Sequence, residues 1–347
     1  MPVQIYFFRG DKYPKTITNS QTDRIYLPQP SEKNYNSVKF VILIPCFNDW
    51  ESLRLLFEKI GDVTDASLYK SFHFLIVDDC STTPSPAFNN QEVPVHILQL
   101  NRNIGHQRAI AIGLSYVYNH LPCEQVIVMD ADGEDKPEDI SSLIHAPNAN
   151  DSIVFARRTK RQEGAVFRFF YSIYKIIFRM LTGKRIEFGN FCIMPFHLLK
   201  NIVFVSEIWN HFSGGVIKSK VKYNSIPLDR GTRLAGASRM NFTSLIIHGM
   251  SAVSVHIDTV AVRLLLFSIG LIVMAVAGII VVSCIRLFTP LAIPGWASYL
   301  VLAFAILLFQ AFLISLFLVF VVLTYRTQKH FIPAVEYKNF IAEVKTF

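Results

Sequence analysis

The sequence predicts an α/β domain built on a mostly parallel sheet and followed by two membrane-spanning helices. Short apolar runs alternate with helical patterns along much of the chain, which is typical of a parallel sheet covered on both faces. Two long apolar stretches follow near the C-terminus. Of the 347 residues, 51% are hydrophobic and only 17% are charged. This composition excludes an intrinsically disordered chain.

The α/β domain is predicted to span residues 37–240. Residues 1–36 are polar and irregular, and we treat them as an N-terminal extension. Within the domain, β-rich runs predict strands at 38–45, 72–77, 95–100, 125–129 and 152–155. Amphipathic patterns predict helices at 49–60 and 105–121. In sheets of this kind, the functional site lies beyond the carboxyl ends of the strands.

The two apolar stretches predict a membrane hairpin over residues 264–325. Residues 264–285 carry no charged side chain, and residues 300–323 contain Gln310 as their one strongly polar member. At a rise of about 1.5 Å per residue, each stretch can cross a hydrocarbon core of about 30 Å. Because residues 326–347 form a net basic tail, the positive-inside rule places both chain ends in the cytosol.

Two segments before the hairpin are predicted to lie at the membrane surface. Residues 165–181 form an amphipathic helix on which Arg168, Lys175 and Arg179 fall on one stripe, suited to lipid phosphates. A helix of the soluble domain with a solvated basic stripe explains the same pattern, and this alternative stays open. Residues 241–263 are apolar and are predicted to lead the chain into the first span.

The charge balance and the cysteines narrow the class of partner. The chain has 34 basic and 26 acidic residues, and its net charge of +8 suits anions such as phosphates or acidic headgroups. Nucleic acid is not predicted as a partner, because no zinc-finger spacing, zipper heptad or basic arm is present. The five cysteines are never spaced as CxxC, which favours reduced thiols over a disulfide framework.

Polar clusters follow three of the predicted strands. Asn48 and Asp49 follow the first strand, Asp78 and Asp79 the second, and the acidic run 130–135 the fourth. Because the carboxyl ends of parallel strands meet at one edge, we expect these clusters to converge, although Asp78 alone is equally consistent with a helix cap. Grouped carboxylates favour Mg²⁺ or Mn²⁺, and Mg²⁺ is usually held by one or two carboxylates plus phosphates. The pattern therefore predicts a site for a diphosphate and a divalent cation.

No Walker-type loop and no GxGxxG motif follows the first strand, which disfavours NTPases and dinucleotide oxidoreductases. In their order, the motifs resemble family 2 glycosyltransferases of the polyprenyl-phosphate type, the group of dolichyl-phosphate mannose synthase and bacterial polyisoprenyl-phosphate glycosyltransferases. The motifs that carry the resemblance, which covers roughly residues 38–325, lie at 44–49, 77–81, 101–105, 129–132, 188–191 and 233–239. The resemblance implies a GT-A fold with a Rossmann-like, mostly parallel sheet, amphipathic juxtamembrane helices and a two-helix hairpin.

The resemblance also implies roles for single residues. Contacts with the nucleotide sugar are implied for Pro45, Asn48, Asp49, Asp78, Asn103, Gly105 and Asp130. Metal ligation is implied for Asp130, Asp132 and Glu134, the last standing where relatives often carry Gln. Catalytic roles are implied for Asp130, Asp132 and Arg239. Binding of the diphosphate or the lipid phosphate is implied for Arg233, Ser238, Arg239, Arg168 and Lys175.

The implied reaction is an inverting transfer of a sugar from a nucleotide-diphosphate sugar to a polyprenyl phosphate. Asn190 stands where relatives often carry Asp, and Glu187 is the nearby candidate to replace that group. A lipid phosphate is already an anion at pH 7 and needs little general-base help, so a missing base is tolerable. The implied location is a membrane, most simply the bacterial inner membrane, with the catalytic domain in the cytosol.

Two alternatives to this function stay open. One is a membrane glycosyltransferase that extends a polysaccharide or a lipid-linked glycan, and the other is a non-catalytic membrane scaffold that binds nucleotide sugars. The sequence does not identify the sugar, the nucleotide or the lipid length. It also leaves open whether the protein forms a homo-oligomer.

Overall fold

A computed structural model of the chain describes residues 38–86, 88, 92–158, 165–184, 188–236, 242–289, 295–328 and 330–347. Of residues 165–171, 242–245 and 248 it describes the backbone alone. The predictions for residues 1–36, Glu187, Ser238, Arg239 and the side chain of Arg168 therefore lie outside the described residues.

In the described part of the chain, eight strands form one mixed sheet. They are β1 (Phe40–Cys46), β2 (Phe72–Asp78), β3 (Val95–Leu100), β4 (Gln125–Val128), β5 (Ile153–Arg158), β6 (Cys192–Pro195), β7 (Tyr223–Leu228) and β8 (Ile341–Thr346). The spatial order is β7-β5-β6-β4-β1-β2-β3-β8. Strands β4, β1, β2 and β3 are parallel, whereas β6 and β8 run antiparallel to their neighbours. The predicted α/β class with a mostly parallel sheet is confirmed.

Helices cover both faces of this sheet and continue beyond it. They are α1 (Trp50–Val63), α2 (Ala66–Tyr69), α3 (His106–His120), α4 (Asp139–Ile144), α5 (Ala165–Thr182), α6 (Phe196–Val203), α7 (Phe212–Ser219), α8 (Phe242–Ser254), α9 (Ile257–Phe288), α10 (Trp296–Thr327) and α11 (Pro333–Glu336). Two short 3₁₀ helices lie at Ser206–Trp209 and Tyr337–Phe340.

The two faces of the sheet carry separate hydrophobic cores. Successive side chains of a strand point to opposite faces, so β1 sends Ile42 to the core that contains α1 and Leu43 to the core that contains α3. A continuous apolar run is needed for a strand buried on both sides, and every residue of β1 is buried. Cys46 of β1 lies opposite Asp78 of β2, so the loops after these strands start side by side.

Helices α9 and α10 contain the two predicted spans. Both are long and apolar enough to cross a membrane, with mean hydropathy of 2.9 and 3.0. Small side chains line their contact, since Ala275 and Ala311 are buried and a Cβ at Gly278 would lie 2.6 Å from the ring of Phe304. Close approach through small residues is typical of helix pairs in membranes.

Helix α5 packs against the start of the hairpin. The hydroxyl of Tyr174 donates to the carbonyl of Gly249 at 3.4 Å, and Arg263 Nη1 donates to the carbonyl of Met180 at 2.6 Å. Ile176 and Ile177 nevertheless remain exposed. These exposed apolar side chains agree with the predicted position of α5 at a membrane surface, which stays a prediction.

The structure corrects the prediction that residues 326–347 form a separate basic tail. Strand β8 pairs antiparallel with β3, and Tyr337 is fully buried with its hydroxyl 2.7 Å from His120 Nε2. The sequence pattern does not reveal this strand, because β8 is a short edge strand whose charged side chains resemble a solvated tail. As the chain returns to the sheet after α10, the C-terminal end of α10 and the sheet lie on one side of any membrane that the hairpin spans.

Candidate functional site

Carboxylates and arginines meet at the carboxyl ends of β1 and β4, the edge at which the sequence predicts that the carboxylates converge. Arg233 lies between two carboxylates: its Nη1 is 3.2 Å from Asp132 Oδ2, and its Nη2 contacts Asp49 Oδ2. Its Nε donates to the carbonyl of Ala235 at 2.9 Å. The side chain of Arg233 is 18% exposed and those of the two aspartates are 20% exposed. Arg233 therefore joins the loop after β7 to the loops after β1 and β4.

The pKa of Asp132 is raised to about 6. Burial is the main cause, the neighbouring Asp130 adds to it, and the cations of Arg233 and Arg230 oppose it. A carboxyl group with this pKa is only partly charged near pH 6, and any additional cation at the site would favour its charged form. The electrostatics of Asp130 and Asp132 thus favour the binding of a cation.

The loop after β7 is docked on the loop after β4. The amide of Leu234 donates to the carbonyl of Asp132 at 2.9 Å, and the amide of Gly231 donates to the carbonyl of Glu134 at 2.8 Å. Gly133 has φ +78, and a Cβ there would lie 2.3 Å from Leu234 Cγ. Only glycine permits both this backbone conformation and this close approach.

Glu134 is held by an arginine in this structure. Its carboxylate forms an ion pair with Arg230, and its amide donates to Asp132 Oδ1 at 3.0 Å. Among the described residues, no three histidine, cysteine, aspartate or glutamate side chains are grouped so that they could hold a metal ion. The role of Glu134 as a third metal ligand stays a prediction, and it requires Glu134 to leave Arg230.

Asp135 is buried and holds the loop that carries Asp130 and Asp132. The sequence pattern alone assigned it no individual role. The amide of Asp130 donates to Asp135 Oδ2 at 3.0 Å, and Arg158 Nη2 lies 3.5 Å from Asp135 Oδ1. Burial raises the pKa of Asp135. Its signal in the sequence was its place in the acidic run 130–135, but only the fold shows that it faces inward.

Asn48 and Asp78 organise the loop after β2. Asn48 Oδ1 accepts hydrogen bonds from the amides of Thr82 at 2.7 Å and Thr83 at 3.2 Å. The amide of Ser81 donates to Asp78 Oδ1 at 2.9 Å. Asn48 has φ 52, a left-handed conformation that asparagine tolerates better than most residues. The implied contacts of both residues with a nucleotide stay predictions, and in this structure both side chains hold backbone.

Asp79 holds the loop that contains the predicted residues Asn103 and Gly105. Its two carboxylate oxygens accept from the amides of Ile104 at 2.7 Å and Gly105 at 2.8 Å. Burial raises the pKa of Asp79, and these two hydrogen bonds oppose that shift. The site prediction omitted Asp79, although it stands beside Asp78 in the same motif. Asn103 itself is exposed.

The side chain of Asn190 contacts the first turn of α3, the helix that follows this loop. Gln107 Nε2 donates to Asn190 Oδ1 at 3.0 Å, while Gln107 Oε1 accepts from the amide of Phe212 at 2.5 Å. The amide of Phe212 thus fixes the orientation of Gln107, and Gln107 fixes Asn190. Of the other predicted residues, Pro45 is buried in β1 and Lys175 is exposed on α5.

The arrangement can hold a divalent cation together with a diphosphate. Asp130 and Asp132 offer two carboxylates, which is the donor type and number that Mg²⁺ uses when phosphates complete its coordination. Arg230 and Arg233 bring guanidinium groups to the same loops, and guanidinium binds phosphate oxygens in a bidentate manner. The residues present therefore fit Mg²⁺ or Mn²⁺.

Comparison with known proteins finds a matching family model and similar bacterial proteins. The family model Glycosyl transferase family 2 matches residues 41–204. An uncharacterized glycosyltransferase, YkcC of Bacillus subtilis (strain 168), is 25% identical over 278 residues, 76% of this chain and 83% of that protein. Undecaprenyl-phosphate 4-deoxy-4-formamido-L-arabinose transferase of Salmonella choleraesuis (strain SC-B67) is 31% identical over 151 residues. That alignment covers 42% of this chain and 45% of the transferase, less than half of its length.

Among solved structures, the mannosyltransferase PcManGT from Pyrobaculum calidifontis in complex with GDP-Man and Mn²⁺ is similar to this chain. It is 12% identical, with a TM-score of 0.39, over 80% of this chain and 87% of that one.

Proposed function

Residues 41–204 form a glycosyl transferase family 2 domain, and from this premise we propose that the chain transfers a sugar from a nucleotide-diphosphate sugar to a polyprenyl phosphate. The observation that supports the donor most strongly is the cluster of Asp132, Asp49 and Arg233 at the carboxyl end of the sheet. Two long apolar helices and similarity to an undecaprenyl-phosphate transferase support a lipid acceptor. The proposed product is a polyprenyl-phosphate sugar.

Asp130 and Asp132 are the residues that would hold Mg²⁺ or Mn²⁺. When bound, such a cation neutralises negative charge that develops on the departing diphosphate. In our proposal, Arg233 leaves Asp49 and Asp132 when the donor enters and binds oxygens of its diphosphate instead. This exchange keeps the guanidinium paired throughout, so that it is never buried without an anion. Arg239 and Ser238, in the same segment of sequence, are proposed to act beside it.

The proposed reaction needs no general base. An oxygen of the acceptor phosphate attacks the anomeric carbon from the side opposite the diphosphate, and a new C–O bond forms there. The bond from the anomeric carbon to the diphosphate oxygen breaks, and its electron pair leaves with the nucleoside diphosphate, which inverts the configuration. The acceptor is already an anion, so Asn190 can take part as a hydrogen-bond donor to the substrate rather than as a base. Arginine donors stabilise the leaving group electrostatically.

The acceptor is proposed to approach along the membrane surface. Helix α5 packs against the start of the hairpin and carries Lys175 and Arg168, whose cations suit a lipid phosphate held at headgroup level. A polyprenyl tail would remain in the hydrocarbon beside α9 and α10. We propose that the sheet lies on the cytosolic side of a bacterial inner membrane, where nucleotide sugars are available.

A donor and acceptor screen tests the proposal. The purified full-length protein is incubated with Mg²⁺, a short polyprenyl phosphate and a panel of nucleotide sugars. The products are identified by mass, and their anomeric configuration is determined by NMR. We expect one polyprenyl-phosphate sugar, formed with inversion, and no product from the Asp132→Asn variant. Asp62→Asn, an exposed carboxylate on α1, is the matched control and should keep full activity. Equal transfer to a water-soluble sugar or to a lipid-linked glycan would support an extending glycosyltransferase instead.

Cysteine labelling tests the orientation. In a Cys284→Ser background, which removes the exposed thiol of α9, single cysteines are placed at Ser298 and Lys338. A membrane-impermeant maleimide added to intact cells should label position 298, near the start of α10, and should not label position 338. The reverse pattern would place the sheet outside the cytosol and would contradict a cytosolic donor.

A further inference from the structure

The middle of α10 exposes a polar side chain where the hairpin surface is otherwise apolar. Gln310 is exposed, and among the described residues its carboxamide has no hydrogen-bond partner. Its neighbour Ala311 is buried against α9, so Gln310 lies about 100° around the helix from the intramolecular contact. The hairpin itself therefore does not satisfy this amide.

The depth of Gln310 makes its exposure costly. It lies about 21 Å along the helix from Trp296 and about 24 Å from Arg326, residue types that favour the two membrane interfaces. With a hydrocarbon core of about 30 Å, Gln310 falls near the midplane. Lipid chains there offer no donor or acceptor, so an amide gains free energy by finding a protein partner.

Polar side chains inside the hairpin are treated differently. Ser268 Oγ of α9 lies 2.8 Å from Ser315 Oγ of α10, and Ser315 also donates to the carbonyl of Ala311 at 2.9 Å. Both hydroxyls are thus satisfied at the contact between the two helices. Gln310 differs because it is on the outer surface, where only another molecule can reach it.

We propose that the face of α10 around Gln310 is an interface with a second copy of this chain. A carboxamide carries both donor and acceptor groups, so two Gln310 side chains related by a twofold axis can form reciprocal N–H···O bonds. All copies insert in the same orientation, and such an axis along the membrane normal places the two amides at equal depth. A different partner would have to supply a hydrogen-bonding group at that depth, whereas a second copy supplies a complementary amide there by symmetry.

The neighbours of Gln310 fit a helix pair. Four exposed apolar residues continue one stripe through Gln310 at heptad spacing. They are Ala303 and Phe317, seven residues away on either side, Ile306, four residues before it, and Leu313, three residues after it. One polar residue at a central position of such a stripe fixes register and oligomeric state. We name these five residues the α10 stripe. The inference depends on the hairpin crossing a membrane and not on the reaction proposed above.

The oligomeric state of the full-length protein tests the inference. The labelled protein is reconstituted into liposomes over a range of protein-to-lipid ratios, and single-molecule photobleaching counts the copies per assembly. We expect a dimer that Gln310→Leu weakens at least tenfold and that Gln310→Asn largely retains. Phe267→Leu, at an exposed position of α9, is the matched control and should leave the dimer unchanged.

Cross-linking gives a second readout, which reports the face in contact rather than the number of copies. In the Cys284→Ser background, Leu313→Cys on the α10 stripe should form an intermolecular disulfide on mild oxidation, whereas Val273→Cys on the exposed face of α9 should not. A monomer for the wild-type protein, a dimer that Gln310→Leu does not weaken, or equal cross-linking at the two positions would overturn the inference.

Discussion

The two ends of the sheet bury titratable side chains in opposite ways. At the carboxyl end, the raised pKa of Asp132 is countered by Arg233 and Arg230, so that cations and carboxylates remain together. At the amino end, His73 and His96 stack with ring centroids 4.5 Å apart, and burial lowers the pKa of His73 to about 3. Those imidazoles stay neutral and have no ion to exchange. The carboxyl end keeps ion pairs whose partners a charged ligand can replace, so it can serve as a binding site. The amino end keeps its imidazoles neutral, so their packing only stabilises the fold.

The largest expected effect is on the charged end. Asp132→Asn removes a carboxylate that would hold the cation, and we expect the turnover rate to fall at least about 100-fold. Because burial already raises the pKa of this group, the same change should not lower the free energy of unfolding. Activity and unfolding are measured on the same preparation. A variant that loses stability along with activity would show that the carboxylate is structural.

The next effect concerns the packing of the C-terminal segment on α3. Tyr337 is fully buried against α3, and Tyr337→Ala should lower the free energy of unfolding by about 3 kcal/mol because it leaves a cavity. Tyr337→Phe, which removes only the hydrogen bond with His120, should lower it by about 1 kcal/mol. Denaturant unfolding in detergent measures both. An unaffected Tyr337→Ala protein would mean that the C-terminal segment does not stabilise the sheet.

Acidification should change the free energy of unfolding in opposite directions at the two ends of the sheet, because the two groups have pKa shifts of opposite effect on stability. His73 is neutral when folded, so its contribution to stability is complete above its unfolded pKa of 6.5 and is lost as the pH falls towards 3. The slope is at most about 1.4 kcal/mol per pH unit for each histidine. Asp132 has the opposite sign, since its contribution is present below 3.8 and is lost as the pH rises through about 6.

Unfolding at several pH values between 4 and 6.5 checks these signs. His73→Leu should flatten the loss of stability on acidification, whereas Asp132→Asn should make that loss steeper. The wild-type protein supplies the reference slope in each buffer. If both variants moved the slope in the same direction, the contrast between the two ends of the sheet would be wrong.

The smallest expected effect is at the loop after β2. Asn48→Ala removes the oxygen that accepts from Thr82 and Thr83, and it places alanine in a left-handed conformation. We expect a loss of about 1 kcal/mol in the free energy of unfolding. Asn48→Asp keeps the acceptor and should retain most of that stability. Equal losses for both variants would point to a role for the amide nitrogen instead.

The sequence alone determined the local elements of the central sheet. Largely apolar runs predicted β1, β2 and β3, because a strand buried on both faces is apolar at most of its positions. Their parallel order then predicted that Asp49, Asp78 and Asp132 would meet at one edge, and the contacts through Arg233 bear out the meeting of Asp49 and Asp132. The two spans were equally visible, since length and lack of charge decide whether a helix can cross a bilayer.

Only the tertiary structure decided which partner each polar group takes. The hydrogen bonds of Asp79 with the amides of Ile104 and Gly105 and the pairing of β8 with β3 join segments whose local patterns carry no sign of the partner. Hydrophobic periodicity is a property of neighbouring residues, so it can be read along the chain. A hydrogen bond or ion pair between distant residues depends on the folded geometry, where burial removes water and selects the partner.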